Sequence, residues 1–92
     1  MALFNRGVAH GRAGDPQREI ADYTTLIGLP GAPVEQVAMA LFNRGITHGQ
    51  TGDPQREIAD YTTLIGLPGA PVEQVAMALF NRGLVHGQAG DS

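Results

Sequence analysis

An all-α fold, a solenoid of antiparallel helix pairs, is the class this sequence predicts, on three observations. The first is a repeat. Residues 1–38 and 39–76 are two units of 38 residues that differ only at Val8/Ile46, Ala9/Thr47, Arg12/Gln50 and Ala13/Thr51, and residues 77–92 form a third, truncated copy. A repeat of this length marks a solenoid, a propeller or an array. The second is spacing: apolar residues fall three and four apart, which selects helices and therefore the solenoid. The third is punctuation, with Gly-Asp-Pro and Leu-Pro-Gly-Ala recurring at fixed places in the units.

Each unit opens on Met-Ala-Leu-Phe-Asn-Arg-Gly, at Met1, Met39 and Met77. Around the second copy, Pro33 suits a first helical position and Glu35 suits the positive helix start. Val34, Val37, Leu41, Gly45 and His48 then share one face, and Ala38, Phe42 and Ile46 form a second stripe. A helix apolar on two stripes is packed on both sides. Gly52-Asp53-Pro54 reads as stop, N-cap and first residue of the next helix. That helix presents Ile58, Tyr61 and Ile65, after which Gly66 is expected as a left-handed cap with Leu67 beside it. Pro68 prevents continuation, Gly69-Ala70 makes the turn, and Pro71 starts the following helix. The expected helices are 2–11, 16–27, 33–49, 54–65 and 71–87, in the order A-B-A-B-A, within one domain of 1–92. The first helix A is shorter because the Pro-Val-Glu-Gln-Val-Ala segment that extends the other two does not precede Met1.

Composition narrows function. A net charge of −3 argues against nucleic acid or an anionic membrane as partner. All six basic residues are arginine, which removes lysine chemistry, and the absence of cysteine removes disulfides, thiolate metal sites and thiol nucleophiles. No apolar run approaches a membrane span and no signal-peptide pattern is present, so a soluble, cytoplasmic protein is expected. The near-identity of the units, with a Met in repeat register at position 1, points to an engineered array or a segment of a longer repeat protein.

These residues resemble the tetratricopeptide repeat (TPR) family. Leu41 sits at the family's Trp position, Gly45 at its Gly, His48 at its Tyr and Tyr61 at its Phe, with Gly52-Asp53 at the turn between helices. The sequence Glu-Ile-Ala-Asp-Tyr-Thr resembles its helix B. Four features depart from it: the 38-residue period, attributed to one extra turn on helix A; Arg44 at a Leu position; Glu57 at a small Ala position; and Pro68 about one residue early. A lone Glu at a close helix crossing is costly. An ion pair Arg44–Glu57, repeated as Arg6–Glu19, is therefore expected, the alternative being that both side chains reach water.

The resemblance implies a protein-interaction scaffold, not an enzyme, with a peptide or helix bound on the concave face of the A helices. The matching positions are Phe4, Asn5, Val8 and Arg12; Met39, Phe42, Asn43, Ile46 and Gln50; and Met77, Phe80, Asn81, Leu84 and Gln88. Some family members clamp a peptide carboxylate here with Lys, Arg and Asn. Only the Asn positions match, so an apolar or helical segment is expected. A purely structural face is the alternative. No cofactor or metal is expected: His10, His48 and His86 are one repeat apart, too far to share an ion, and a packing role in place of Tyr accounts for them. His48 with Asp53, or His10 with Asp15, has no nucleophile beside it; Thr24, Thr25, Thr62 and Thr63 lie late in the B helices. Leu79, Gly83 and Val85 resemble interior residues of a helix A that no following helix B covers. Self-association, as a dimer or by end-to-end stacking, is therefore expected, and a self-assembling repeat with no external ligand is the alternative function.

Overall fold

A computed structural model of the chain describes residues 2–88; Met1 and residues 89–92, including Asp91-Ser92 of the third copy, lie outside the described residues. The described residues form five α-helices and no strand: α1 (Ala2–Arg12), α2 (Pro16–Ile27), α3 (Val34–Gln50), α4 (Pro54–Ile65) and α5 (Val72–Gln88). Each helix packs on the next in the chain, and α3 also touches α5.

The helix boundaries follow from capping. At the turn from α3 to α4, Gly52 takes φ 81° and the Asp53 N–H donates to His48 O at 2.8 Å, while the Gly52 N–H donates to Gly49 O. This pair of bonds is a Schellman cap, which needs a left-handed residue. Asp53 then caps α4, its carboxylate accepting from the Arg56 N–H at 3.1 Å, with Pro54 opening the helix. Gly14, Asp15 and Pro16 repeat the arrangement at α2.

Two local expectations change. Gly66 and Gly28 are not left-handed; their φ values are −88° and −86°. The left-handed residues are Gly69 and Gly31, at φ 80° and 79°. The reason lies in Leu67-Pro68-Gly69-Ala70, where the Ala70 N–H donates to Leu67 O at 3.1 Å. A four-residue turn with Pro second and a positive-φ Gly third is the type II pattern, and it places the conformational demand three residues later. Pro33 also stands just before α3, at φ −58° and ψ 137°, and not as its first residue.

The core is two clusters. One gathers Phe4, Tyr23, Leu26 and Ala40; the other gathers Ala38, Leu41, Phe42, Tyr61, Leu64, Ala78 and Val85. Ile27 and Val37 pack against both. Leu64 and Asp60, which the Ile58–Tyr61–Ile65 face did not include, are both buried.

Candidate interaction surfaces

Helices α3 and α4 meet through a small-residue face on α3. A Cβ on Gly45 would lie 2.8 Å from Tyr61 Cε1, and one on Gly49 would collide with the Glu57 carboxylate. Glycines four apart on one helix thus admit Tyr and Glu four apart on an antiparallel partner. Gly7 and Gly11 receive Tyr23 and Glu19 in the same way. Phe42 and Phe4 tilt onto Tyr61 and Tyr23, with ring centroids 5.9 and 5.7 Å apart.

This seam corrects the expected ion pair. Arg44 does not pair with Glu57, nor Arg6 with Glu19. Arg44 holds Asp60 bidentately, Nε to Oδ2 at 2.8 Å and Nη2 to Oδ1 at 2.6 Å, and Arg6 holds Asp22 at 2.9 and 2.8 Å. Asp60 lies one helical turn beyond Glu57, on the side that faces Arg44 once Tyr61 has settled on Gly45. The two pairs differ in exposure: the Arg44 side chain is 19% exposed and that of Arg6 64%. The Arg6 bond holds the Asp22 carboxyl below its usual range. Glu57 instead accepts from Tyr61 Oη at 2.9 Å, and burial together with that bond pushes the Tyr61 phenol up. His48 Nε2 lies 3.7 Å from Asp60 Oδ2, and His10 Nε2 3.6 Å from Asp22 Oδ2. Each histidine thus faces the carboxylate of the seam rather than the capping Asp53 or Asp15.

Two surfaces lie outside the seam. The first is a cleft of about 270 Å³ between α1, α2 and α3. Of the expected binding positions it joins Val8 and Arg12 of α1 to Asn43, Ile46 and Gln50 of α3. Its floor is polar: Glu19 accepts from Thr47 Oγ1 at 2.9 Å and from Tyr23 Oη at 3.4 Å, and Asn43 Nδ2 donates to Tyr23 Oη at 3.4 Å. Glu19, Tyr23 and Thr47 were missed by sequence reasoning. Thr47 carried a signal, since it is one of the few positions at which the units differ. Asn5 is exposed beside this cleft, in a pocket with Phe4, Val8 and Arg12. Phe4 and Phe42, also among the expected binding positions, are buried on Tyr23 and Tyr61. Met39 is half-buried and packs on the first cluster.

The second surface is α5. Met77 is 47% exposed, Phe80 67% and Leu84 50%, with Leu79 beside them and open space at Gly83. Asn81 is half-buried and Gln88 exposed. Val85 corrects one expectation: it is buried in the second cluster, on the side turned to α4. Arg82 donates to Thr62 Oγ1 at 3.1 Å, as Arg44 does to Thr24 at 3.0 Å. Among the described residues Arg82 meets no carboxylate within ion-pair distance. No described helix is long and apolar enough to cross a membrane.

No family model, no curated protein and no solved structure matches this chain.

Proposed function

We propose that this chain is a non-enzymatic protein-interaction scaffold, a TPR-like solenoid that binds a peptide or helix in the cleft between its first two A helices. The observation that supports this reading is the convergence of Val8, Arg12, Asn43, Ile46 and Gln50 on one open cleft with a hydrogen-bonded floor. An aliphatic pair flanked by amides and a cation offers a shallow apolar contact with polar edges, the character of a peptide site. The reading takes the protein to be soluble and cytoplasmic.

The test is a peptide-library pulldown with the wild type and with Ile46→Glu. Ile46 is half-buried at the cleft, so its replacement changes the cleft without removing a core side chain such as Phe42. Peptides retained by the wild type and lost by Ile46→Glu support the cleft. Retention by both excludes it.

A second reading, self-assembly without an external ligand, is favoured by the exposed face of α5. An apolar face of this kind on a small domain marks an association surface. Sedimentation across concentration separates the two readings, because only the second requires the mass to rise with concentration in the absence of peptide.

A further inference from the structure

The five helices leave two unsatisfied surfaces, and they match. α5 carries the helix A motif, and among the described residues no following helix B lies upon it. In α1 and α3 that motif lies under α2 and α4, with Phe4 on Tyr23, Phe42 on Tyr61, Arg6 on Asp22 and Arg44 on Asp60. In α5 the same residues are Phe80, Arg82 and Gly83: Phe80 is exposed, a Cβ on Gly83 would meet nothing, and Arg82 is half-buried on Thr62 with no carboxylate among the described residues within ion-pair distance.

The other unsatisfied surface is on α2. An apolar cavity of about 260 Å³ opens beside Ala2, Leu3, Leu26, Leu29 and Ala32. In the next unit the same region is packed. Leu67 and Ala70 join the core around Ala38, and a Cβ on Gly69 would meet Val34 Cγ1 at 3.7 Å. A Cβ on Gly31 would meet nothing within 4 Å, and Leu29 is exposed. The residues that fill this region in unit two are those of the helix A extension, Val34–Ala38. α5 carries the same extension, and its Val72 is 74% exposed.

We propose that α5 of one chain packs on α2 of a second copy, displacing that copy's α1, so that copies join end to end in the register of the repeat. Arg82 then takes Asp22 of the second copy, Phe80 and Gly83 receive its Tyr23, and Val72 and Val75 enter the cavity at its Leu29. The sequence of packed helices across the junction, α4-α5-α2-α3, repeats the α2-α3-α4-α5 order within the chain. Exchange of like elements is a low-cost route to assembly because the contacts already exist within the monomer. The tethered α1 holds the advantage of effective concentration. The displaced α1 loses the cover that the matching part of α5 gains, so what α5 adds is burial of its longer N-terminal extension and closure of a cavity that α1, spanning Ala2–Arg12, leaves open. Exchange therefore emerges as concentration rises. The contact rests on the self-association reading; in the joined copy Leu84 and Gln88 of α5 take the places of Val8 and Arg12 of the displaced α1 at the cleft.

Sedimentation velocity and equilibrium, with helicity checked by circular dichroism, test it. The wild type is expected to exceed its 9.7 kDa monomer mass increasingly with concentration. Arg82→Asp, which would face Asp22, is expected to weaken association by about tenfold or more. Gly83→Ala fits the open space of the monomer but would strike Tyr23 in the junction, so it weakens association while leaving the fold intact. An equimolar mixture of Arg82→Asp with the double variant Arg6→Asp/Asp22→Arg restores association that neither shows alone, because both junctions then pair opposite charges. A wild type that stays monomeric throughout overturns both the self-association reading and this contact. Association that survives either Arg82→Asp or Gly83→Ala at wild-type strength leaves self-association standing and overturns the exchange. Should the double variant not fold, Gly83→Ala alone decides.

Discussion

Gly45 and Tyr61 claim one volume: a Cβ added at Gly45 would lie 2.8 Å from Tyr61 Cε1, whereas one at Gly83, the same position a unit later, meets nothing. The same glycine in two helices that differ only at Ile46/Leu84 and Thr47/Val85 should therefore respond with opposite sign. Gly45→Ala forces the ring away and costs about 1–3 kcal/mol, more than the roughly 1 kcal/mol of helix propensity it gains. Gly83→Ala gains that propensity without the clash and raises Tm by several degrees at low concentration, where association does not contribute. Thermal melts of the two variants check the pair; equal effects would remove the close approach as an explanation.

Truncating Arg44 leaves Asp60 buried without its bidentate partner, with His48 3.7 Å away. Arg44→Ala is expected to cost about 3–5 kcal/mol, the range for breaking a buried pair by removing one partner. Arg6→Ala costs less, because the Arg6 guanidinium is largely in water and Asp22 gains access to solvent when it is lost. Urea denaturation ranks them, and an equal loss would contradict the difference in burial.

Thr47 joins two units through its bond to Glu19. Thr47→Val keeps the volume and removes the hydroxyl, at an expected cost of about 1–2 kcal/mol. The matching position in unit three is Val85, so the carboxylate of Glu57 has no such donor from α5. Val85→Thr supplies one and is expected to raise stability by up to about 1 kcal/mol. A destabilised Val85→Thr would show that apolar packing there outweighs the bond.

The stability profile should fall at both extremes of pH, for separate reasons. The Asp22 carboxyl is lowered in the fold, first by the hydrogen bond from Arg6, so the stability it contributes is present above its unfolded pKa of about 4 and is lost as pH falls through the folded value. Tyr61 and Tyr23 are both raised, chiefly by burial. The unfolded phenols ionise near pH 10 while the folded ones keep their protons, so stability falls as pH rises above that point. Melts from pH 2 to 12 trace both limbs. Arg6→Ala should flatten the acid limb and Tyr61→Phe the alkaline one; limbs unchanged by these variants would sever the link.

Helix positions were legible because their signals are local. Asp53 and Pro54 define a start, Gly52 a stop, and each needs only its neighbours. The partner of Arg44 was not legible. Glu57 and Asp60 are three residues apart on one helix, and which of them faces Arg44 depends on how α4 is rotated about its axis. That rotation is set by Tyr61 against Gly45 and Glu57 against Gly49, contacts between residues far apart in sequence. The same rotation brings Tyr61 against Phe42 and turns Leu64 into the core. Val8, Arg12, Asn43, Ile46 and Gln50 were readable as one surface because they sit where two A helices stand side by side. Thr47 and Glu19 depend on the intervening helix, and no spacing within one unit relates them.

Ile27 and Val37 are the side chains that touch both hydrophobic clusters, and this gives the molecule an adjustable cooperativity. Where helices pack chiefly on their chain neighbours, stability divides into local terms and nearest-neighbour coupling terms. These two aliphatic residues contribute to the apolar coupling between the Tyr23 and Tyr61 cores. Shortening both to Ala should leave each core nearly intact yet divide one melting transition into two. With no tryptophan in the chain and one tyrosine in each core, Tyr fluorescence of the Tyr23→Phe and Tyr61→Phe backgrounds would report the two transitions one at a time.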